Sequence, residues 1–165
     1  MKIFGFGVGV LLLASMAATG QQAVCTGPQL GTWKLQSVVT EDLETHQQTA
    51  MFGSHPGGYL HYGTDCRMYA ILAREGREPP AAAVATDAES IELFRGFVAY
   101  AGTYTIDGDK VSHHVDISWN QAWTGTTQVR QFRIEGKLLY IRSVPAASPL
   151  NGRQSINELV WKRVE

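Results

Sequence analysis

The stretch FVAYAGTYTIDGDKVSHHVDISW, residues 97–119, decides the fold. Phe97 to Ile106 and Lys110 to Trp119 are rich in β-branched and aromatic residues, and Asp107-Gly108-Asp109 between them is turn-forming. The two halves therefore read as an antiparallel hairpin. Alternation sorts the second strand into an apolar face, Val111, His113, Val115, Ile117 and Trp119, and a polar one, Ser112, His114, Asp116 and Ser118. With the apolar set inward, His113 is a lone interior imidazole; with the register inverted, His114, Asp116 and Ser118 line a polar cavity. On the first strand Tyr100 and Tyr104 share a face, with Gly102 between them.

The same pattern continues in both directions. Downstream, Thr126 to Ile134, Leu138 to Ser143 and Ser155 to Arg163 read as strands, the first two joined by a turn at Glu135-Gly136. Upstream, the strands are Thr32 to Val39, Gly58 to Tyr62 and Cys66 to Ala73, with Gly63-Thr64-Asp65 as a tight turn between the last two. Residues 74–86 contain Pro79-Pro80 and an alanine-rich stretch and read as a loop. Thr86 with Glu89 forms a capping-box pattern, and Ala88, Ile91 and Phe94 recur at helical spacing before Gly96. This predicts one short helix over 87–95, with Ile91 and Phe94 turned toward an opening of the sheet. Eight strands joined mostly by short turns predict an all-β, eight-stranded antiparallel up-and-down barrel, an architecture that removes exposed edges. A barrel of that size is either filled by its own side chains or holds one small ligand.

Charge narrows the partners. The 165 residues carry 14 basic against 15 acidic side chains, a net charge of -1, with no local basic stripe, so nucleic acid is excluded as a partner. Lys2, the apolar run Ile3 to Leu13 and the small residues Ala14 to Gly20 have the layout of a signal peptide over 1–20, cleaved after Gly20. The run falls short of the ~20 apolar residues a bilayer needs, so no stable membrane span is expected after cleavage. Gln22-Ala23-Val24 before Cys25 is not a lipidation pattern. The expected organisation is a signal peptide, an N-terminal extension over 21–30 and a barrel domain over 31–165, exported to the periplasm or secreted. In such a compartment Cys25 and Cys66 either form a disulfide or remain two thiols. A bridge would close a loop of about forty residues and stabilise the chain by roughly 3 to 4 kcal/mol.

Gly31-Thr32-Trp33 at the start of the first strand, with Trp161-Lys162-Arg163 at the end of the last, resembles the lipocalin superfamily. Between them Pro56-Gly57-Gly58-Tyr59-Leu60-x-Tyr62, Arg67-Met68, Ala99-Tyr100-x-Gly102-Thr103-Tyr104, Val111-x-His113-His114-Val115, Trp123-x-Gly125-Thr126 and Gln128-x-Arg130 are similar to bacterial and fungal lipocalin-like domain proteins. The resemblance covers about residues 29 to 163. It implies a barrel closed at one end by Gly31, Trp33 and Arg163, the guanidinium lying over the indole, and a pocket, but no particular reaction. Asn120-Gln121-Ala122-Trp123 departs from the group, which commonly has a proline before the tryptophan.

Candidate chemistry is sparse. His113 and His114 are adjacent on a strand and point to opposite faces, so they cannot share an ion, and His114 with Asp116 supplies only two ligands. No metal and no cofactor are expected. A Ser-His-Asp reading of Ser118, His114 and Asp116 fails because residues two apart on a strand sit ~7 Å apart along it. Arg130 shares a face with Gln128, Phe132 and Ile134. Pointing inward, it needs an anionic ligand or a carboxylate partner such as Asp116; otherwise it belongs to the wet surface. The expected contacts to a small hydrophobic ligand are Tyr59, Tyr100, Tyr104, His113, His114, Trp119, Gln128 and Arg130. The alternative is a cofactor-independent isomerase, cyclase or dehydratase acting on a small hydrophobic metabolite, with His113, His114 or Tyr104 moving a proton. A filled core serving as a structural or envelope-interaction domain is the third reading, and the sequence leaves the oligomeric state open.

Overall fold

The computed structural model describes residues 23–147 and 152–164, so the signal-peptide reading of 1–20 lies outside the described residues. Ten strands follow one another: β1 (Gly31–Asp42), β2 (Gln48–Thr49), β3 (Gly57–Tyr62), β4 (Arg67–Ala73), β5 (Phe97–Asp107), β6 (Lys110–Ser118), β7 (Thr127–Glu135), β8 (Leu138–Ser143), β9 (Ala146–Ala147) and β10 (Gln154–Arg163). Eight are long, and they are the eight the sequence predicts. The other two, β2 and β9, are two-residue additions beside β1 and β10, too short for any periodicity to reveal. The long strands pair antiparallel in the order β1-β3-β4-β5-β6-β7-β8-β10, and β10 pairs back onto β1 from Trp33↔Arg163 to Asp42↔Ser155. The eight long strands thus close into a barrel.

Side-chain size fills one end of this barrel. Trp33, Tyr62, Met68, Tyr104, Val111 and Leu139, each at most 2% exposed, pack there into a solid layer. A strap of chain before β1 seals it. The Arg163 guanidinium carbon stands 4.0 Å from the centroid of the Trp33 ring. Arg163 Nη1 donates to the Leu30 carbonyl at 2.7 Å, Nη2 donates to the Pro28 carbonyl, and Trp33 Nε1 donates to the Gln29 carbonyl at 2.8 Å. Gly31 turns the strap into β1 at φ +107, where a side chain would be strained and would also crowd Arg163 Nη1 at 3.2 Å. The strap's beginning is fixed too: Cys25 and Cys66 form a disulfide, and the Cys25 N–H donates to the Thr64 carbonyl at 2.8 Å.

One irregularity re-aims the central hairpin. The β5–β6 register shifts between Ala101↔Ile117 and Gly102↔Val115, leaving Asp116 as the extra residue of a bulge. His113 and Val115 face inward, but Ile117, which alternation places inside, is turned out and 66% exposed. The glycine at 102 is required by close approach, since a Cβ there would collide with the His114 carbonyl oxygen.

The helix α1 spans Asp87–Arg95, with the Thr86–Glu89 capping box formed as the sequence predicts. It has no buried residue and lies at the barrel end opposite the strap. The proline-free loop after β6 closes as a single 3-10 turn over Gln121–Trp123, with the Asn120 side chain accepting from the Ala122 N–H at 3.1 Å. Among the described residues no helix is long and apolar enough to cross a membrane.

The disulfide spans 41 residues of chain, so the Cys25→Ser/Cys66→Ser protein should lose roughly 3 to 4 kcal/mol of unfolding free energy. Urea denaturation of the two proteins, compared at equal protein concentration, measures the difference; equal midpoints would mean that the bridge constrains nothing.

Candidate ligand-binding cavity

Beyond the packed layer the lumen is hollow. The inward positions of β3 and β4 change from Tyr62 and Met68 at the sealed end to Leu60, Ala70 and Leu72, and those of β5 from Tyr104 to Val98. The smaller set leaves a cavity of about 680 Å³, within the range of small-molecule sites. Its wall is mainly apolar, with Val38, Leu60, Leu72, Val98, Ile141, Leu159 and Trp161 around Ala70. Ile91 and Phe94 of α1 form one side of the mouth and Trp119 and Trp123 the other. These aromatics touch: Phe94 and Trp119 have centroids 6.3 Å apart, Trp119 and Trp123 meet edge to face at 4.9 Å, and Tyr100 meets Trp123 at 5.6 Å. Ile91 and Phe94 are still 48% and 52% exposed, because the helix stands at the opening without filling it.

His113 marks the boundary between the packed and hollow ends. It is 1% exposed, and each ring nitrogen meets a tyrosine hydroxyl: Nε2 lies 2.7 Å from Tyr62 Oη, and Nδ1 lies 3.0 Å from Tyr100 Oη. Burial, then the positive charge of Arg130, then His114, push its pKa down to about 3, so the ring is neutral and carries one proton. Burial likewise raises both tyrosines, Tyr62 well above the ordinary value, and keeps their hydroxyls protonated. Tyr62 Oη has no other partner among the described residues, so its proton goes to Nε2; a buried hydroxyl proton would otherwise be orphaned. The imidazole proton then sits on Nδ1 and is donated to Tyr100 Oη. The Tyr100 proton is left over and turns to the cavity.

Four of the residues expected from sequence come together on this wall: Tyr100, His113, Trp119 and Arg130. Arg130 is inward and half-buried, in phase with Phe132 and Ile134. Its Nη1 donates to the Val129 carbonyl at 2.9 Å and its Nη2 to Gln128 Oε1 at 3.2 Å, so Gln128 reaches the site only through Arg130. Tyr104 belongs to the packed end, where its hydroxyl donates to the Gly63 carbonyl at 3.0 Å. Tyr59 and His114 do not line the cavity. Tyr59 alternates with the inward Leu60 and is 47% exposed, while His114, out of phase with His113, lies on the outer face between Thr105 Oγ1 and Thr127 Oγ1 at 3.1 Å each. Asp116, carried outward by the bulge, meets Arg67 at 3.5 Å and is not the partner of Arg130.

Sequence reasoning passed over Met51 and Phe52, which enter the wall from the loop before β3; Phe52 is only 6% exposed. An apolar pair inside an otherwise polar loop was the available signal. Ser143, Asn157 and Asn120 were passed over as well, being ordinary polar residues whose inward phase emerges only once the barrel is closed.

A shut antiparallel barrel with a stacked arginine–tryptophan seal at one pole and an apolar pocket at the other is a lipocalin-type architecture. Residues 30–164 match the model of the lipocalin-like domain family, and the chain belongs to that family. Over 87 residues, 48% of this chain and 78% of the other, it is 29% identical to the 4'-hydroxy-3'-methoxypropiophenone carrier protein of Aspergillus oryzae. No solved structure matches it.

The buried imidazole has a consequence for stability. Unfolded, His113 takes up a proton near its ordinary 6.5; folded, only near 3. Between those values the unfolded chain binds more protons, so stability is full above about pH 6.5 and falls as pH drops toward 3, by up to about 1.4 kcal/mol per unit. Urea midpoints from pH 7 to 4 should show this fall, and His113→Gln, which can still donate and accept, should flatten it. An unchanged slope in that variant would contradict the neutral buried ring.

Proposed function

We propose that this protein is an exported carrier that holds one small, mostly apolar molecule inside the barrel. The observation that carries the reading is the hollow half of the lumen, about 680 Å³ walled by aliphatic and aromatic side chains, with α1 and the Trp119–Trp123 pair at its mouth. A monomeric barrel with no such task would be expected to fill that space, since protein interiors are close-packed. The likeness to a carrier protein of a small aromatic ketone supports the same class of task. Export rests on the charge, apolar and small-residue succession of residues 1–20 and is consistent with the Cys25–Cys66 disulfide.

Proton-transfer catalysis is less well supported. His113 is engaged by two tyrosine hydroxyls and is neutral, Tyr104 is committed to the Gly63 carbonyl, and His114 lies outside. A base must reach the substrate before its pKa matters.

The reading predicts saturable, one-to-one binding of the neutral fluorophore N-phenyl-1-naphthylamine, with a blue-shifted emission. Ala70 faces Tyr100 across the β4–β5 ladder, so Ala70→Trp should occupy the hollow and weaken binding by about tenfold or more while leaving the far-UV circular dichroism unchanged. Undiminished binding by a folded Ala70→Trp protein would place the probe elsewhere and contradict the proposal.

A further inference from the structure

The cavity's polar groups are matched to one kind of head group. The charged side chains on its wall are Arg74, Arg95 and Arg130, and no Asp or Glu lines it among the described residues. Arg95 lies 3.8 Å from Glu92 at the mouth, but Arg130, deeper on β7, faces no carboxylate within ion-pair distance among the described residues. A half-buried cation that is bonded only to a backbone carbonyl and an amide oxygen leaves its charge uncompensated.

The neutral polar residues around it offer donors as well. Ser143 sits directly opposite Arg130 on the β7–β8 ladder, and its Oγ accepts the Asn157 backbone N–H at 2.9 Å, so its own hydroxyl proton is free. Asn157 Oδ1 accepts from Thr40 Oγ1 at 2.6 Å, which turns the amide NH2 to other partners. The proton of Tyr100 is displaced toward the cavity by the Tyr62–His113 chain. In the same wall the buried Trp161 indole N–H has no hydrogen-bond partner. Donors therefore outnumber open acceptors wherever the apolar wall is interrupted.

Resting on the carrier reading above, we propose that the occupant is an apolar acid whose carboxylate is held by Arg130, Ser143 and Asn157, with Tyr100 donating from β5. A carboxylate supplies only acceptors and cancels the guanidinium charge, and the guanidinium fork matches its two oxygens. An ammonium head group would meet the like charge of Arg130. A neutral ester would use the apolar wall and forgo the charge.

The test is displacement of N-phenyl-1-naphthylamine at pH 8 by three probes with one tail: dodecanoate, methyl dodecanoate and dodecylamine. The expected order is acid, ester, amine, with the acid about tenfold or more ahead of the ester, the size of a charge-assisted bond set. Arg130→Met should bring the acid down to the level of the ester, while Arg130→Lys should keep part of the preference. An amine as tight as the acid, or an acid preference that survives in Arg130→Met, overturns the inference. The wild-type comparison decides without any variant: equal binding of acid and ester removes the head-group site and leaves the carrier reading intact. If the fluorophore and all three probes fail to bind, the carrier reading falls and this inference with it.

Discussion

The antiparallel pairing of β1 with β10 turns a sheet into a container. Once the eight long strands close, the lumen has a fixed width, and the sizes of the inward side chains decide where it is solid and where it is hollow. Trp33 and Tyr104 fill the pole at which the strap crosses, and Arg163, stacked on Trp33 and bonded to the strap's carbonyls, ties the last strand to the first turn of chain. Ala70, Leu72 and Val98 are too small to do the same at the other pole. Packing at one end therefore fixes a rigid frame for the open space at the other.

The junction between the two regimes is polar by construction. His113 is neutral, and its two nitrogens join a hydroxyl in the packed layer to one at the cavity wall. A charged imidazole there would face Arg130 without a counter-ion, and both burial and that guanidinium favour the uncharged ring. The directional consequence is that the order of donors is set from below: Tyr62 gives to the ring, the ring gives to Tyr100, and Tyr100 gives into the lumen. Hydroxyl, imidazole and hydroxyl thus form one continuous chain from the packed layer to the cavity wall.

Much of the barrel was legible because it rests on short-range rules. Period-two alternation located the long strands, the Thr86–Glu89 box located α1, and Gly31-Thr32-Trp33 with Arg163 identified the seal. The site was legible only in part. Alternation groups Tyr100 with Tyr104 and Arg130 with Phe132 and Ile134 but leaves open which of those faces, and which of His113 and His114, meets the lumen; Ile117 lies beyond a bulge that reverses the phase, and the reason for the bulge, Gly102 against the His114 carbonyl, is a contact between strands. His114 and Tyr59 were attractive by residue type alone, and each alternates with a neighbour that has the stronger claim to the interior. Ser143 and Asn157 acquire meaning only from what they touch across the β7–β8–β10 ladders, which no single strand encodes.

The central claim is that the upper half of the lumen is vacant and apolar, and xenon reports on that space without regard to any ligand's identity, because it enters dry apolar cavities. A crystal of the protein pressurised with xenon should show anomalous density between Phe94 and His113, with Trp33 still stacked under Arg163 at the far pole. A lumen in which Phe94, Trp119 and Trp123 have folded inward, with no xenon among them, would contradict it.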